Sequence, residues 1–190
     1  MPKRIIIDCD PGIDDAIALM MALFDPRLEV MAVTATAGCV DAQRTTRNAL
    51  SLIEQSDPPK HPRVGEANDP DDAPVGDNAE LHGKDGLGLW SVAPATRQHL
   101  LASDKLMADE VRANAGAVTL LCTGPLTNVA RMFNRDPKLA SSIDRIIMVG
   151  GAIDCNGDIT AAAEFNLHFD PISADQVFKS PTTKTLVPLN

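Results

Sequence analysis

Apolar residues along this chain recur in two rhythms, short β-branched runs and longer stretches at helical spacing. Ile5-Ile6-Ile7 marks residues 4–7 as a strand, and residues 14–24 repeat apolar side chains at the i, i+3, i+4 spacing of one helix face. Residues 28–36 and 41–54 repeat that pair, so the chain opens βαβα. The rhythm resumes with a helix near 98–113, a strand over 117–122 and a helix over 126–133. A strand over 145–149, a helix near 171–178 and a strand over 184–187 follow. Alternation of this kind predicts an α/β fold with a largely parallel central sheet and helices on both faces. Between the two halves, residues 57–78 carry Pro58, Pro59, Pro62, Pro70 and Pro74. That stretch reads as a loop without regular structure, of the length usually kept for a lid or a mobile excursion.

Length and composition narrow the picture. With 190 residues and 44% apolar content, the chain can bury a sizeable core, and one domain spanning residues 1–190 is expected. A net charge of -9 argues against a nucleic-acid partner, which demands a basic face. Aromatic residues make up only 3%, which removes stacking platforms as well. Cys9, Cys39, Cys122 and Cys155 lie far apart with no zinc spacing, so free thiols in a reducing cytoplasm are expected. The apolar run after Met1-Pro2-Lys3-Arg4 is too short for a signal-peptide core or a membrane span. A soluble cytoplasmic protein, with no membrane partner, is the reading.

The chemistry concentrates in Asp8-Cys9-Asp10-Pro11-Gly12-Ile13-Asp14-Asp15, directly after the first strand. Four carboxylates this close repel one another unless a cation sits among them. Asp8 and Asp10 alternate off the strand end, and Asp14 and Asp15 open a helix whose N-terminal dipole favours negative charge. Simple capping explains one of them, not the cluster. Hard cations such as Ca²⁺ take oxygen ligands from carboxylates, carbonyls, water and hydroxyls. An aspartyl phosphatase of the DxDx[TV] type is the competing motif. Gly12 stands where its hydroxyl or Val belongs, and the Asp14-Asp15 pair is left unexplained.

In an open α/β sheet, ligands bind beyond the carboxyl ends of the strands. Those ends carry Ala37-Gly38-Cys39, Thr123-Gly124-Pro125-Leu126-Thr127-Asn128 and Val149-Gly150-Gly151, and a later loop delivers Glu164-Phe165-Asn166. Small residues there also suit ordinary turns. Together with the aspartate cluster, His82-Gly83-Lys84-Asp85-Gly86-Leu87-Gly88, the run from Thr123 to Asn128 and Ala163-Glu164-Phe165-Asn166 resemble, in order and separation, the inosine-uridine nucleoside hydrolase family. The resemblance spans essentially the whole chain.

It implies a nucleoside-hydrolase-like fold and cleavage of the N-glycosidic bond of a small ribonucleoside substrate. Ca²⁺ would be held by Asp10 and Asp15 and by the backbone carbonyl of Thr123. Asp10 would also be the general base. Asp14, Glu164 and Asn166 would hold ribose hydroxyls, His82 would border the base, and Phe165 would line the sugar pocket. A cytoplasmic homo-oligomer of nucleoside salvage is the wider expectation.

The chain departs from the family pattern in places. Cys39 stands where Asn is usual, Val149 where Met is common, and Asp158 where Asn is common. With no basic neighbour in sequence, Cys39 reads as a small buried hydrophobe more than a reactive thiol. Family chains also run further and supply a late His-Asp pair. The expectation is therefore a C-terminally incomplete fold with impaired hydrolysis, the alternative being a non-catalytic nucleoside- or ribose-binding remnant that keeps the metal site.

Overall fold

The computed structural model describes residues 1–70, 79–90 and 100–190. Its strands and helices, in chain order, are β1 (Lys3–Cys9), α1 (Ile13–Phe24), β2 (Leu28–Ala35), α2 (Ala42–Ser56), β3 (Arg63–Glu66), α3 (Ala79–His82), β4 (Leu101–Ala102) and α4 (Ser103–Ala113). Then come β5 (Val118–Cys122), α5 (Thr127–Arg135), β6 (Arg145–Ala152), α6 (Phe165–Phe169), α7 (Pro171–Lys179) and β7 (Lys184–Leu189). All neighbouring strands pair in parallel, in the order β4-β3-β2-β1-β5-β6-β7.

β1 shows why the sequence folds this way. Its three isoleucines are β-branched and favour extended backbone, and a strand inside a parallel sheet is buried on both faces. Ile5 and Ile7 pack with Leu19 of α1 and with Ala49, Leu52 and Ile53 of α2. Ile6 points the other way, into Met107, Val111, Val129 and Met132 of α4 and α5. The strand order steps from β1 toward β4 on one side and from β5 toward β7 on the other. Right-handed crossovers therefore put α1 and α2 on one face and α4, α5 and α7 on the other. On the face of α1 and α2, the half of the sheet made by β6 and β7 leaves Val149, Val187 and Leu189 exposed.

Three expectations are corrected. Residues 57–78 are not a structureless loop, because Arg63–Glu66 forms β3 and pairs with β2. A four-residue strand inside a proline-rich run carries too little periodicity to stand out, and residues 71–78 lie outside the described residues. The helix placed near 98–113 begins at Ser103, after the two-residue strand β4, and its first two positions lie outside the described residues. The stretch 165–169 forms the short helix α6. No helix among the described residues is long and apolar enough to cross a membrane.

Candidate functional site

The strand order reverses between β1 and β5, and at such a switch point the loops leaving two adjacent strands diverge and open a crevice. A cleft of about 560 Å³ lies there, and its lining includes Asp10, Asp14, Asp15, His82, Thr123, Glu164, Phe165 and Asn166. The structure thus brings every sequence-predicted site residue to one cavity. Asp158 and Leu189 also line it. A second cleft, of about 500 Å³, runs between α1 and α2 beside Trp90, and no charged side chain among the described residues lines it.

Asp10 follows β1 and is almost fully buried. Its Oδ2 accepts a hydrogen bond from the backbone N–H of Cys39 at 2.7 Å, and the Cys39 thiol donates to the Asp10 carbonyl at 2.8 Å. Two glycines make room for this carboxylate. A Cβ at Gly38 would overlap Oδ2, and one at Gly124 would lie 2.5 Å from Oδ1. Both glycines read as ordinary turn residues in the sequence, whereas their role is close approach to Asp10. Burial first, and the carboxylates nearby second, push the Cys39 thiol far up. It behaves as the inert buried side chain its sequence context implies.

Asp15 faces inward from the first turn of α1 and shares a hydrogen bond with the Asp10 carboxyl. Burial raises the proton affinity of both groups; the neighbouring Asp15 charge adds to the rise at Asp10 and the Asp14 charge to that at Asp15, while the bond to Asp10 holds Asp15 down. Two buried carboxyls in contact must share a proton or a cation. The fit to a hard cation rests on this pair with Thr123, which lines the cleft beside them and whose buried hydroxyl has no hydrogen-bond partner among the described residues. Among the described residues, no group of three or more His, Cys, Asp or Glu side chains is arranged to hold a metal. The oxygen donors here are therefore two carboxylates and a threonine.

Asn166 donates its side-chain N–H to the Thr123 carbonyl at 2.8 Å and to the Val149 carbonyl at 3.1 Å. Glu164 is the N-cap of α6 and accepts from the backbone N–H groups of Asn166, Leu167 and Gly151. Phe165 leans on Phe169 with ring centroids 5.7 Å apart. On the opposite wall, Asp14 is well exposed. His82 Nδ1 accepts from the backbone N–H of Ile13 at 3.2 Å and lies 3.7 Å from Asp14 Oδ1. Gly12, the N-cap of α1, offers no side chain, so the imidazole takes over one donor at that helix start.

Asp8 sits apart from the cleft. Its Oδ1 accepts from Thr34 at 2.6 Å and from Asn128 at 2.9 Å, while Oδ2 is buried without a partner. Burial, opposed by those two bonds, raises its carboxyl to about 7. The spacing that made Asp8 look like a twin of Asp10 conceals this, because β1 is still a strand at Asp8 and has ended at Asp10. Asn48 escaped notice for a related reason. It is a polar residue inside an amphipathic helix, yet it is fully buried and reaches the carbonyls of Pro11 and Asp85.

Among the described residues, the cleft sets Asp10, Asp14, Asp15, Asp158 and Glu164 against a single imidazole. Such a site favours a cation or a reacting group that becomes positive, and disfavours anions. A sequence profile of the inosine-uridine preferring nucleoside hydrolase family matches residues 5–190. The chain is 40% identical over 190 residues to uridine nucleosidase 1 of Arabidopsis thaliana, covering 99% of this chain and 56% of that protein. It is 44% identical over 183 residues to the pyrimidine-specific ribonucleoside hydrolase RihA of Klebsiella pneumoniae, covering 95% and 58%. Among solved structures, a plant nucleoside hydrolase superposes with a TM-score of 0.92 at 34% identity, over 100% of this chain and 61% of that one. A purine-preferring ribonucleoside hydrolase from Gardnerella vaginalis gives 0.91 at 28%, over 98% and 61%. The chain thus spans less than two thirds of the length of these relatives.

Proposed function

The chain belongs to the inosine-uridine preferring nucleoside hydrolase family, and from that premise we propose that its cleft is the site of a calcium-dependent ribonucleoside N-ribohydrolase, splitting the bond between ribose and base. The buried, touching pair Asp10 and Asp15 at the sheet's switch point carries this reading. Asp10, Asp15 and the Thr123 carbonyl would hold the cation, with water and ribose hydroxyls completing an oxygen shell. When bound, Ca²⁺ supplies Lewis acidity toward a water and toward the sugar.

The residues of the chain do the rest. Cleaving the glycosidic bond builds positive charge on the ribose, and the carboxylates lining the cleft stabilise it from fixed positions. Asp10 takes the proton of the attacking water from its fixed place at the end of β1. Asp14, Glu164 and the free oxygen of Asn166 hold ribose hydroxyls, and a site built to bond a hydroxyl rejects sugars lacking it. His82 and Phe165 bound the base and the sugar. The whole protein is, on this reading, a cytoplasmic homo-oligomer of nucleoside salvage.

Calorimetry with Ca²⁺ on the chain and on Asp10→Ala and Asp15→Ala tests the metal assignment. Binding is expected in the first and lost in both variants, and equal affinity in all three removes it. A second reading of the same cleft is a nucleoside- or ribose-binding remnant that keeps the metal site without turnover. A reducing-sugar assay with inosine and uridine in excess Ca²⁺ separates the two, run on this chain and on the chain fused to the unmatched part of a relative. We expect little turnover from the chain alone and restored turnover from the fusion, lowered about 10²- to 10⁴-fold by Asp10→Ala. Binding of ribose with no turnover from either form would favour the remnant.

A further inference from the structure

We propose that Asn48 is a positioning residue of the cleft, clamping the loop that carries His82 onto the turn that carries Asp10. Asn48 lies in the middle of α2 and is fully buried. Asparagine is a mediocre helix former, and burying an amide is unfavourable unless its hydrogen bonds are made. Its side-chain N–H₂ donates to two carbonyls from distant parts of the chain, Pro11 at 3.3 Å and Asp85 at 2.8 Å. Its Oδ1 is buried with no partner among the described residues, so these two bonds are what offset its burial. Pro11 belongs to the turn between Asp10 and α1. Asp85 belongs to the loop that returns from His82.

That loop is held from several sides. Gly86 donates to the Gly83 carbonyl at 3.0 Å and Gly88 to the His82 carbonyl at 2.6 Å. Leu87 is buried in the core under α1 and α2. Arg44 and Arg47 of α2 reach the Asp85 carboxylate at 3.5 and 3.4 Å, but these ion pairs are half exposed and worth little. Among the described residues, the Asn48 amide alone bonds both the loop and the turn. Gly86, at φ +88°, presses so close that an added Cβ would lie 3.0 Å from the Asn48 amide nitrogen and 3.3 Å from the Pro11 carbonyl.

The consequence reaches His82. Its Nδ1 accepts from Ile13, the residue that begins α1, so the ring keeps its proton on Nε2, the edge left for a ligand. This geometry holds only while the loop stays at its present distance from the turn. Asn48 therefore sets the tautomer and orientation of the His82 wall without touching a ligand. The effect on ligand binding rests on the reading of the cleft as a nucleoside site, whereas the effect on the imidazole does not.

The test uses the full chain at mildly alkaline pH and reads the ¹⁵N resonances of His82. In the unaltered chain, a single Nε2–H tautomer with an accepting Nδ1 is expected. Asn48→Asp keeps the shape but replaces the donor with a carboxylate facing two carbonyl oxygens. It should release the ring into averaged tautomers and weaken inosine binding about ten-fold to a hundred-fold, with Ca²⁺ affinity changed little. Gly86→Ala pushes on the same junction from the loop, away from the helix interior, and should give the same spectroscopic change. It decides the matter if Asn48→Asp does not fold. Asp85→Ala removes the ion pairs but keeps the carbonyl, and should leave the His82 signals in place. A fixed Nε2–H tautomer in Asn48→Asp and Gly86→Ala alike, or its absence from the unaltered chain, overturns the clamp. If the unaltered chain fails to bind inosine, the nucleoside reading falls while the His82 signals still judge Asn48.

Discussion

At the scale of single residues, carboxylates close together in sequence have separate fates set by burial and partners. Asp14 is exposed, Asp10 and Asp15 share a proton or a cation, and Asp8 is locked beneath the site by Thr34 and Asn128. For Asp8, the folded carboxyl rises to about 7 from the ordinary 3.8, so the folded chain binds more protons than the unfolded chain between those values. Its contribution to stability is fully present below about pH 4 and is lost as pH climbs through about 7. Asp8→Asn keeps the oxygen that accepts from Thr34 and Asn128 and cannot ionise. In the metal-free protein, melting temperature should fall with rising pH more steeply for the unaltered chain than for Asp8→Asn. Parallel slopes over that window would contradict the assignment. The four-aspartate motif was plain in the sequence, and the family resemblance singled out Asp10, Asp14 and Asp15, but spacing alone could not set Asp8 apart, since that depends on where β1 ends.

At the scale of elements, legibility followed length and periodicity. β1, α1, β2 and α2 were readable because their apolar positions repeat over many residues, and Asp41 announces α2 by accepting from the N–H of Arg44. β3, β4 and α6 were not, because elements of two to five residues leave hardly one period of pattern. α6 matters most, since it delivers Glu164 and Asn166. Glu164 is an unusual N-cap that reaches across to β6 through the N–H of Gly151 at 2.8 Å, so it staples helix, strand and cleft together. Glu164→Ala should lower stability by about 1 kcal/mol, the usual cost of a lost cap, and should also disorder the Gly150-Gly151 turn. Amide exchange at Gly151 would reveal this as a loss of protection, and unchanged exchange with unchanged stability would show the cap to be dispensable. The clamp at Asn48 was invisible for the opposite reason. Its partners are backbone carbonyls far away in the chain, and no local pattern announces them.

At the scale of the whole molecule, the alternation of strands and helices foretold the parallel sheet, and the rule that ligands sit at strand ends led to the cleft. The order of strands was not legible, because nothing local says whether a crossover steps left or right. That order places α1 and α2 over one half of one face and leaves Val149, Val187 and Leu189 bare on the other half, along β6 and the edge strand β7. An apolar edge strand invites any other extended chain to add itself. The consequence is colloidal. The purified chain should bind a fluorescent apolar dye while fully folded and should scatter more light as salt screens its net charge of -9. Val187→Lys, at a position 48% exposed, puts a gatekeeping charge on that edge. It should suppress both signals with the melting temperature unchanged, and equal scattering from the two proteins would place the stickiness elsewhere. Preparations of this chain will therefore stay clear in low salt and dilute solution, and cloud as either rises.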